Sequence, residues 1–144
     1  MDHPRTVLDF WFGREPMTPA LFAAKMPEWF GGRDADTRAA RDATITSQFG
    51  VLAARAAAGA LDNWADSPRQ RLALILLLDQ FPRHIHRGLP RAFATDDRAA
   101  ALMLDGMQKA ARHTSRFAQV IATGGQAPDH PVHPAIPETR YLKA

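Results

Sequence analysis

Apolar residues recur along much of this chain with the spacing of amphipathic helices, and no alternating strand pattern of any length is found. The longest such stretch is predicted to begin at Asp34 and to end near Ala58. Its apolar residues Ile45, Phe49 and Leu52 follow the i, i+4, i+7 rule. Because Gly59 follows at once, and glycine often ends helices, the pattern predicts one long helix here.

The next stretch has the clearest start signal, a Ser67 cap followed by Pro68 in the first turn. The pattern predicts a helix that continues to Phe81. Residues 72–78 are apolar on every side of that helix. A helix that is apolar all round is usually the buried centre of its fold, so we expect this segment to be the core.

Three further helices complete the predicted order. One covers about Arg5–Phe12, and a second begins at Thr18 and runs to about Met26, where Pro27 is expected to stop it. A fifth begins after a Thr95 cap, with acidic residues in its first turn, and frays near His113. The inner face of this fifth helix is expected to consist of Ala100, Met103, Leu104 and Met107.

The remaining segments are predicted to be irregular. Residues 82–94 carry two prolines and a glycine and are expected to form a loop, and residues 115–122 allow one or two more helical turns. Beyond Gly124-Gly125, prolines recur every third residue, which is the period of polyproline II. We therefore expect a helical domain over 1–123 and an extended, proline-rich tail over 124–144.

The amino-acid composition and charge exclude several classes of site and partner. The absence of cysteine excludes disulfides, thiol nucleophiles and Cys-ligated metals, and it fits a reducing compartment. The N-terminus has no secretory signal pattern, and the apolar run 72–78 is too short to span a bilayer, so we predict a cytoplasmic protein without membrane contact. The net charge is only +3, with three lysines, and without a basic cluster nucleic-acid binding is not indicated.

Two motifs resemble those of a known family. They are Val7–Gly13, with the sequence VLDFWFG, and Leu77–Arg83, with the sequence LLDQFPR, the second followed by PRAFATD over 90–96. Together they resemble the bacterial domain of unknown function 924 family over about residues 5–113. The resemblance implies an all-helical array similar to tetratricopeptide repeats, with five to six helices, and it implies no established activity.

Departures from the family pattern lie in two places. Relatives usually carry Asn and an aromatic residue where this chain has His84 and His86. Relatives also continue into further helices where this chain has its proline-spaced tail. This difference could reflect a short variant of the family, an altered reading frame or a truncation, and these alternatives stay open. The helical flank left uncovered would favour self-association, so a homo-oligomer stays open.

The main candidate site joins Asp79 and Gln80 to three arginines of the following segment and to Asp96. The arginines are Arg83, Arg87 and Arg91. Asp79 follows seven apolar residues, so its carboxylate needs a cationic or hydrogen-bonded partner. One interpretation is that an arginine fork pins the loop; the other is that the surplus arginines hold a phosphate or carboxylate ligand. His84 is a candidate ligand-binding residue, but the histidines lack accompanying carboxylates at metal-ligand spacing, and no metal site is predicted.

Most aromatic residues are expected in the core, and Trp29, beside the Gly31-Gly32 turn, is the best candidate for a groove wall. No phosphate-binding loop, nucleophile elbow or zinc-protease motif is present, and no cofactor is predicted. We therefore predict a non-catalytic helical binding module for an unidentified protein or a small anionic ligand. The alternative is a small enzyme acting on an anionic metabolite, with Asp79 as acid or base and the arginines as anion clamps.

Overall fold

The computed structural model describes residues 3–30 and 34–123, and in this part of the chain all regular structure is helical. The α-helices are α1 (Pro4–Phe12), α2 (Pro19–Trp29), α3 (Ala35–Ala57), α4 (Pro68–Leu78), α5 (Gln80–Ile85) and α6 (Asp96–Thr123). Short 3₁₀ segments occupy Asp62–Asp66 and Pro90–Phe93. The predicted all-α fold is confirmed, and the likeness to tetratricopeptide repeats stays a prediction.

The chain divides into two compact units, Met1–Gln108 and Lys109–Ala144. The first contains α1 to α5 and the start of α6. Of the second, the structure describes residues 109–123, which are helical. The predicted proline-rich tail and the Gly31-Gly32 turn lie outside the described residues, and the predicted domain boundary at residue 123 stays a prediction.

Two helices are capped by the side chains of the residues at which they were predicted to begin. The Thr18 hydroxyl accepts a hydrogen bond from the Leu21 amide at 3.1 Å, and the Asp34 carboxylate accepts one from the Thr37 amide at 2.7 Å. Ser67 occupies the cap position of α4 without a side-chain hydrogen bond, and Pro68 stands at the first helical position as predicted. The Thr18 and Asp34 side chains thus satisfy amide donors that have no partner within their helices.

The predicted end of α2 was wrong, because the helix continues through Pro27 to Trp29. A proline removes one intrahelical hydrogen bond, which would normally end the helix. Here the last turn is anchored by tertiary contacts instead. The Trp29 indole N–H donates to the Trp11 carbonyl oxygen at 2.9 Å, and the two indoles stack with their rings 6.2 Å apart.

The predicted helix to Phe81 and the predicted loop over 82–94 were also wrong in detail. α4 ends at Leu78, and Asp79 joins it to the short helix α5. Pro82 lies in the first turn of α5, where a missing amide proton costs little. A 3₁₀ segment then occupies Pro90–Phe93, so most of the expected loop is helical.

The last helix, α6, extends ten residues past its expected end near His113, to Thr123. The predicted cap Thr95 makes a different contact, since its hydroxyl donates to the Leu78 carbonyl oxygen at the end of α4. Thr95 therefore ties the start of α6 to the junction between α4 and α5.

The core of the first unit is built around α4, which packs against α1, α3, α5 and the first 3₁₀ segment. Leu74, Leu77 and Leu78 are almost fully buried, as expected for the centre of the fold. Phe81, also fully buried, contacts the rings of Phe49 and Trp11 at 5.0 and 5.4 Å. No described helix is both long enough and apolar enough to cross a membrane.

Arginines also link the helices of this unit. Arg71 is buried in α4, and its guanidinium donates to the Ala65 and Leu102 carbonyl oxygens and to the Asp105 carboxylate. Gly106 leaves room for it, because a Cβ atom there would lie 3.0 Å from Arg71 Cδ. The sequence pattern did not reveal this buried charge, which lies one residue before the apolar run.

Candidate functional site

Arg83 is the centre of the predicted Asp79 cluster. It donates in bidentate fashion to the Asp96 carboxylate, with both distances 2.9 Å, and to Asp79 Oδ1 at 3.2 Å. Its Nη1 also donates to the Ala92 carbonyl oxygen, and the guanidinium lies 4.3 Å from the centre of the Phe93 ring. The fork therefore joins α5, the second 3₁₀ segment and the start of α6.

Arg87 and His84 belong to a second cluster, which forms around Asp42 of α3. Asp42 Oδ1 accepts from His84 Nδ1 at 2.8 Å and from Arg87 Nη2 at 2.9 Å, and Oδ2 accepts from Arg87 Nε. Asp42 was not among the predicted site residues, because 42 and 45 residues separate it from its two partners. Sequence spacing carries no signal for such a contact.

The ionisation of this second cluster follows from its surroundings. Burial lowers the pKa of His84, and this effect exceeds the opposing hydrogen bond to Asp42, so the imidazole is neutral near pH 7. Partial burial opposes ionisation of Asp42, yet the hydrogen bonds from Arg87 and His84 hold its pKa below the usual value. The hydrogen bond to Asp42 raises the pKa of Arg87. The cluster is therefore an ion pair with a neutral histidine beside it.

The other two predicted site residues lie apart from these clusters. Arg91 is exposed on the second 3₁₀ segment, and in the described part of the chain its side chain has no hydrogen bond or ion pair. Trp29 packs against Trp11, Phe12 and Phe22. The structure thus brings Asp79 and Arg83 together, and His84 and Arg87 together, but it does not gather all six residues into one site.

An apolar groove lies next to the Arg83 cluster. Its volume is about 380 Å³, and it is lined by Asp79, Asp96, Ala99, Ala100, Met103 and Leu104. Met103, Leu104 and, one turn further along α6, Met107 are 50%, 60% and 64% exposed. Two carboxylates therefore lie at one end of a surface that is otherwise apolar.

A second concavity lies between α2 and α3 and has a volume of about 430 Å³. Its apolar wall consists of Ala23, Ala24 and Pro27, and its polar wall consists of Glu28, Asp34, Thr37 and Arg41.

Arg41 distinguishes this cavity from the rest of the described structure. Its Nε and Nη2 atoms are the buried side-chain polar atoms without a hydrogen-bond partner among the described residues. An unpaired buried donor costs about 1–3 kcal/mol. The rings of Phe10 and Trp11, with centres 5.2 and 5.9 Å from Arg41 Cζ, offset part or all of this cost through cation–π contacts of about 0.5–2 kcal/mol each. Burial accordingly lowers the pKa of Arg41.

The sequence contains a signal for Arg41. Arg41, Ile45 and Phe49 are four residues apart, so the arginine extends the buried stripe of α3 by one turn. A charged residue on a buried apolar stripe normally requires a buried partner, so its position in the sequence marks Arg41 as unusual.

A comparison with protein families matches residues 7–123 to a family described as "bacterial protein of unknown function (DUF924)". The chain belongs to this family. The match confirms the resemblance given by the two motifs, and it extends ten residues beyond the predicted limit at residue 113. No curated protein and no solved structure matches the chain.

In residues 3–30 and 34–123, no group of three or more histidine, aspartate and glutamate side chains is arranged to hold a metal ion. His84 has its Nδ1 directed at Asp42, so it acts as a hydrogen-bond donor that ties α5 to α3.

Proposed function

We propose that this DUF924 protein is a non-catalytic binding module that recognises a helical segment of a protein partner along the groove of α6. The observation that carries this proposal is the row of exposed apolar side chains Met103, Leu104 and Met107 beside the groove. Contiguous apolar patches on a protein surface commonly mark interaction sites. Methionine suits such a surface because its flexible, polarizable side chain adapts to different partners.

The spacing of the apolar residues favours a helix as the partner. Ala100, Met103, Leu104 and Met107 stand at i, i+3, i+4 and i+7 on α6, which gives a continuous apolar stripe. A second amphipathic helix buries its own apolar stripe against such a surface.

The charges at the end of the groove favour a basic residue in that partner. Asp79 and Asp96 line the groove, and the single guanidinium of Arg83 neutralises one of their two charges. A lysine or arginine at the corresponding end of the partner helix would balance the other charge. Complementary charges of this kind set orientation and association rate more than they set affinity.

The enzyme alternative gains less support from these contacts. It requires Arg83, Arg87 and Arg91 to converge on one anion beside Asp79. Arg83 and Arg87 are instead each held by a carboxylate of the chain itself, and by different carboxylates. An anionic metabolite would have to displace Asp96 or Asp42 before either arginine could clamp it.

A photo-crosslinking experiment tests the proposal. In one variant, benzoylphenylalanine replaces Met103. In a matched control, it replaces Val51, which is 79% exposed on α3. We expect a discrete adduct at position 103 whose crosslinked segment has an apolar helical stripe and at least one lysine or arginine. Equal adducts at both positions, or a crosslinked segment without that pattern, would contradict the proposal.

A further inference from the structure

The helix that borders the α6 groove itself matches the description of the proposed partner. α6 carries the apolar stripe of Ala100, Met103, Leu104 and Met107, and the last three of these side chains are 50–64% exposed. Beyond Met107, α6 also carries the basic residue Arg112. Because the groove is expected to bind a helix with an apolar stripe and a basic residue, a second copy of α6 meets both requirements.

The charges at the end of the groove decide the direction in which two α6 helices pair. Asp79 and Asp96 line the groove at the start of α6, and the single guanidinium of Arg83 lies between them. A parallel pair would bring the two acidic ends together, which is unfavourable because like charges repel. An antiparallel pair keeps these ends apart and brings each of them towards the Arg112 end of the other α6.

The sizes of the side chains in the stripe also fit an antiparallel pair. If a twofold axis passes between Met103 and Leu104, Ala100 of one copy lies opposite Met107 of the other copy. At both ends of the stripe a small side chain then leaves room for a large one, and Met103 and Leu104 meet their own counterparts at the centre. Alternation of small and large residues across facing positions gives the close packing of a protein interior.

We propose that the partner of the α6 groove is a second copy of this chain, and that the two α6 helices pack antiparallel around a twofold axis between Met103 and Leu104. This inference rests on the proposed binding function of the groove and names its occupant. A symmetric contact of this kind uses the same surface on both copies, so it closes as a dimer.

Single-cysteine variants test the arrangement, because the chain contains no cysteine of its own. Met103→Cys lies next to the twofold axis and should form a disulfide-linked dimer under mild oxidation. Ala100→Cys and Met107→Cys each lie about 10 Å along the helix axis from their own counterparts, at about 1.5 Å per residue, which is too far for a disulfide. A mixture of these two variants should nevertheless form the mixed dimer. Val51→Cys, exposed on α3, is the control and should crosslink about tenfold more slowly than Met103→Cys.

Sedimentation equilibrium of the unmodified chain measures the association itself. We expect the average mass to rise from 15.9 kDa towards twice that value as the concentration increases to about 0.1 mM. Leu104→Asp should raise the dissociation constant of the dimer at least about 30-fold.

Three results would overturn the inference: a chain that stays monomeric, an Ala100→Cys or Met107→Cys variant that pairs with its own counterpart as readily as Met103→Cys does, or equal crosslinking of Val51→Cys. A monomeric chain that still gives a helical adduct with another protein at position 103 would overturn the inference alone. A chain that gives neither a dimer nor an adduct would also overturn the proposed binding function.

Discussion

Replacing Arg83 with glutamine tests whether the Asp79 cluster stabilises the fold. The change removes the bidentate pair with Asp96 and the contact with Asp79, and it leaves the two carboxylates without the cation between them. Hydrogen bonds to charged groups contribute about 1.5–3 kcal/mol each when buried, but exposed pairs contribute about 0–1 kcal/mol. The three side chains are 28–37% exposed, so we expect a total loss of about 2–3 kcal/mol.

Urea unfolding followed by tryptophan fluorescence measures this loss. With a slope of about 2 kcal/mol per M, the expected loss lowers the midpoint by about 1 M. Arg91→Gln is the matched control, because Arg91 is exposed on the neighbouring 3₁₀ segment and surface changes of this kind stay within about 0.5 kcal/mol. The account of Arg83 as a structural link is refuted if Arg83→Gln unfolds at the wild-type urea concentration, or if Arg91→Gln is equally destabilised.

Three further predictions concern His84, Arg41 and Gly106. Burial lowers the pKa of His84, so the unfolded chain binds more protons than the folded chain as the pH falls below about 6.5. The free energy of unfolding should therefore fall from pH 7 to pH 5. His84→Gln should reduce this pH dependence, measured by urea unfolding at each pH. Arg41→Met removes the unpaired donors and should raise the free energy of unfolding by about 1 kcal/mol. Gly106→Ala should lower stability by about 1 kcal/mol in thermal or urea unfolding, since the new Cβ atom lies 3.0 Å from Arg71 Cδ and Arg71 is fixed by its hydrogen bonds.

Each of these predictions has an internal check. A pH slope in His84→Gln equal to that of the wild type would show that another group titrates. A large loss of stability in Arg41→Met would mean that its contacts with Phe10 and Trp11 outweigh the unpaired donors. Gly50→Ala is the control for Gly106→Ala, because its nearest neighbour would be at 3.9 Å and the change should stabilise α3 by up to about 1 kcal/mol.

Local signals in the sequence were enough to predict most helices. Thr18 and Asp34 cap their helices through contacts three residues away. Most of the apolar run of α4 lies in the core as predicted, although Leu72 at its start is 41% exposed. The predicted stop at Pro27 was wrong because a tertiary contact, the Trp29 hydrogen bond to Trp11, extends the helix past a residue that disfavours it. Local propensity cannot include such a contact.

The candidate sites depended more on distant contacts. The Asp79–Arg83 pair, four residues apart, could be foreseen from helical spacing. Asp96 was grouped with them from the sequence, but its bidentate contact with Arg83, thirteen residues away, could not be foreseen. Asp42 is more than forty residues from His84 and Arg87, and only the packing of α3 on α5 brings them together. The apolar periodicity of α6 was visible, but the prediction that Met103, Leu104 and Met107 lie on its inner face was wrong, because these side chains are 50–64% exposed. Periodicity identifies an apolar face, and only the packing of the other helices decides whether that face is covered.

The most direct test of the proposed binding function is the dissociation constant of the segment crosslinked at position 103, measured by fluorescence anisotropy for the wild type and for Leu104→Asp. Leu104 is 60% exposed beside the groove, so an aspartate there should leave the fold intact and place a charge in the apolar contact. We expect the dissociation constant to rise by about 30–150-fold, which corresponds to the loss of about 2–3 kcal/mol at a central contact, while Val51→Asp leaves it unchanged. An unchanged dissociation constant for Leu104→Asp would contradict the proposal that the α6 groove is the binding surface.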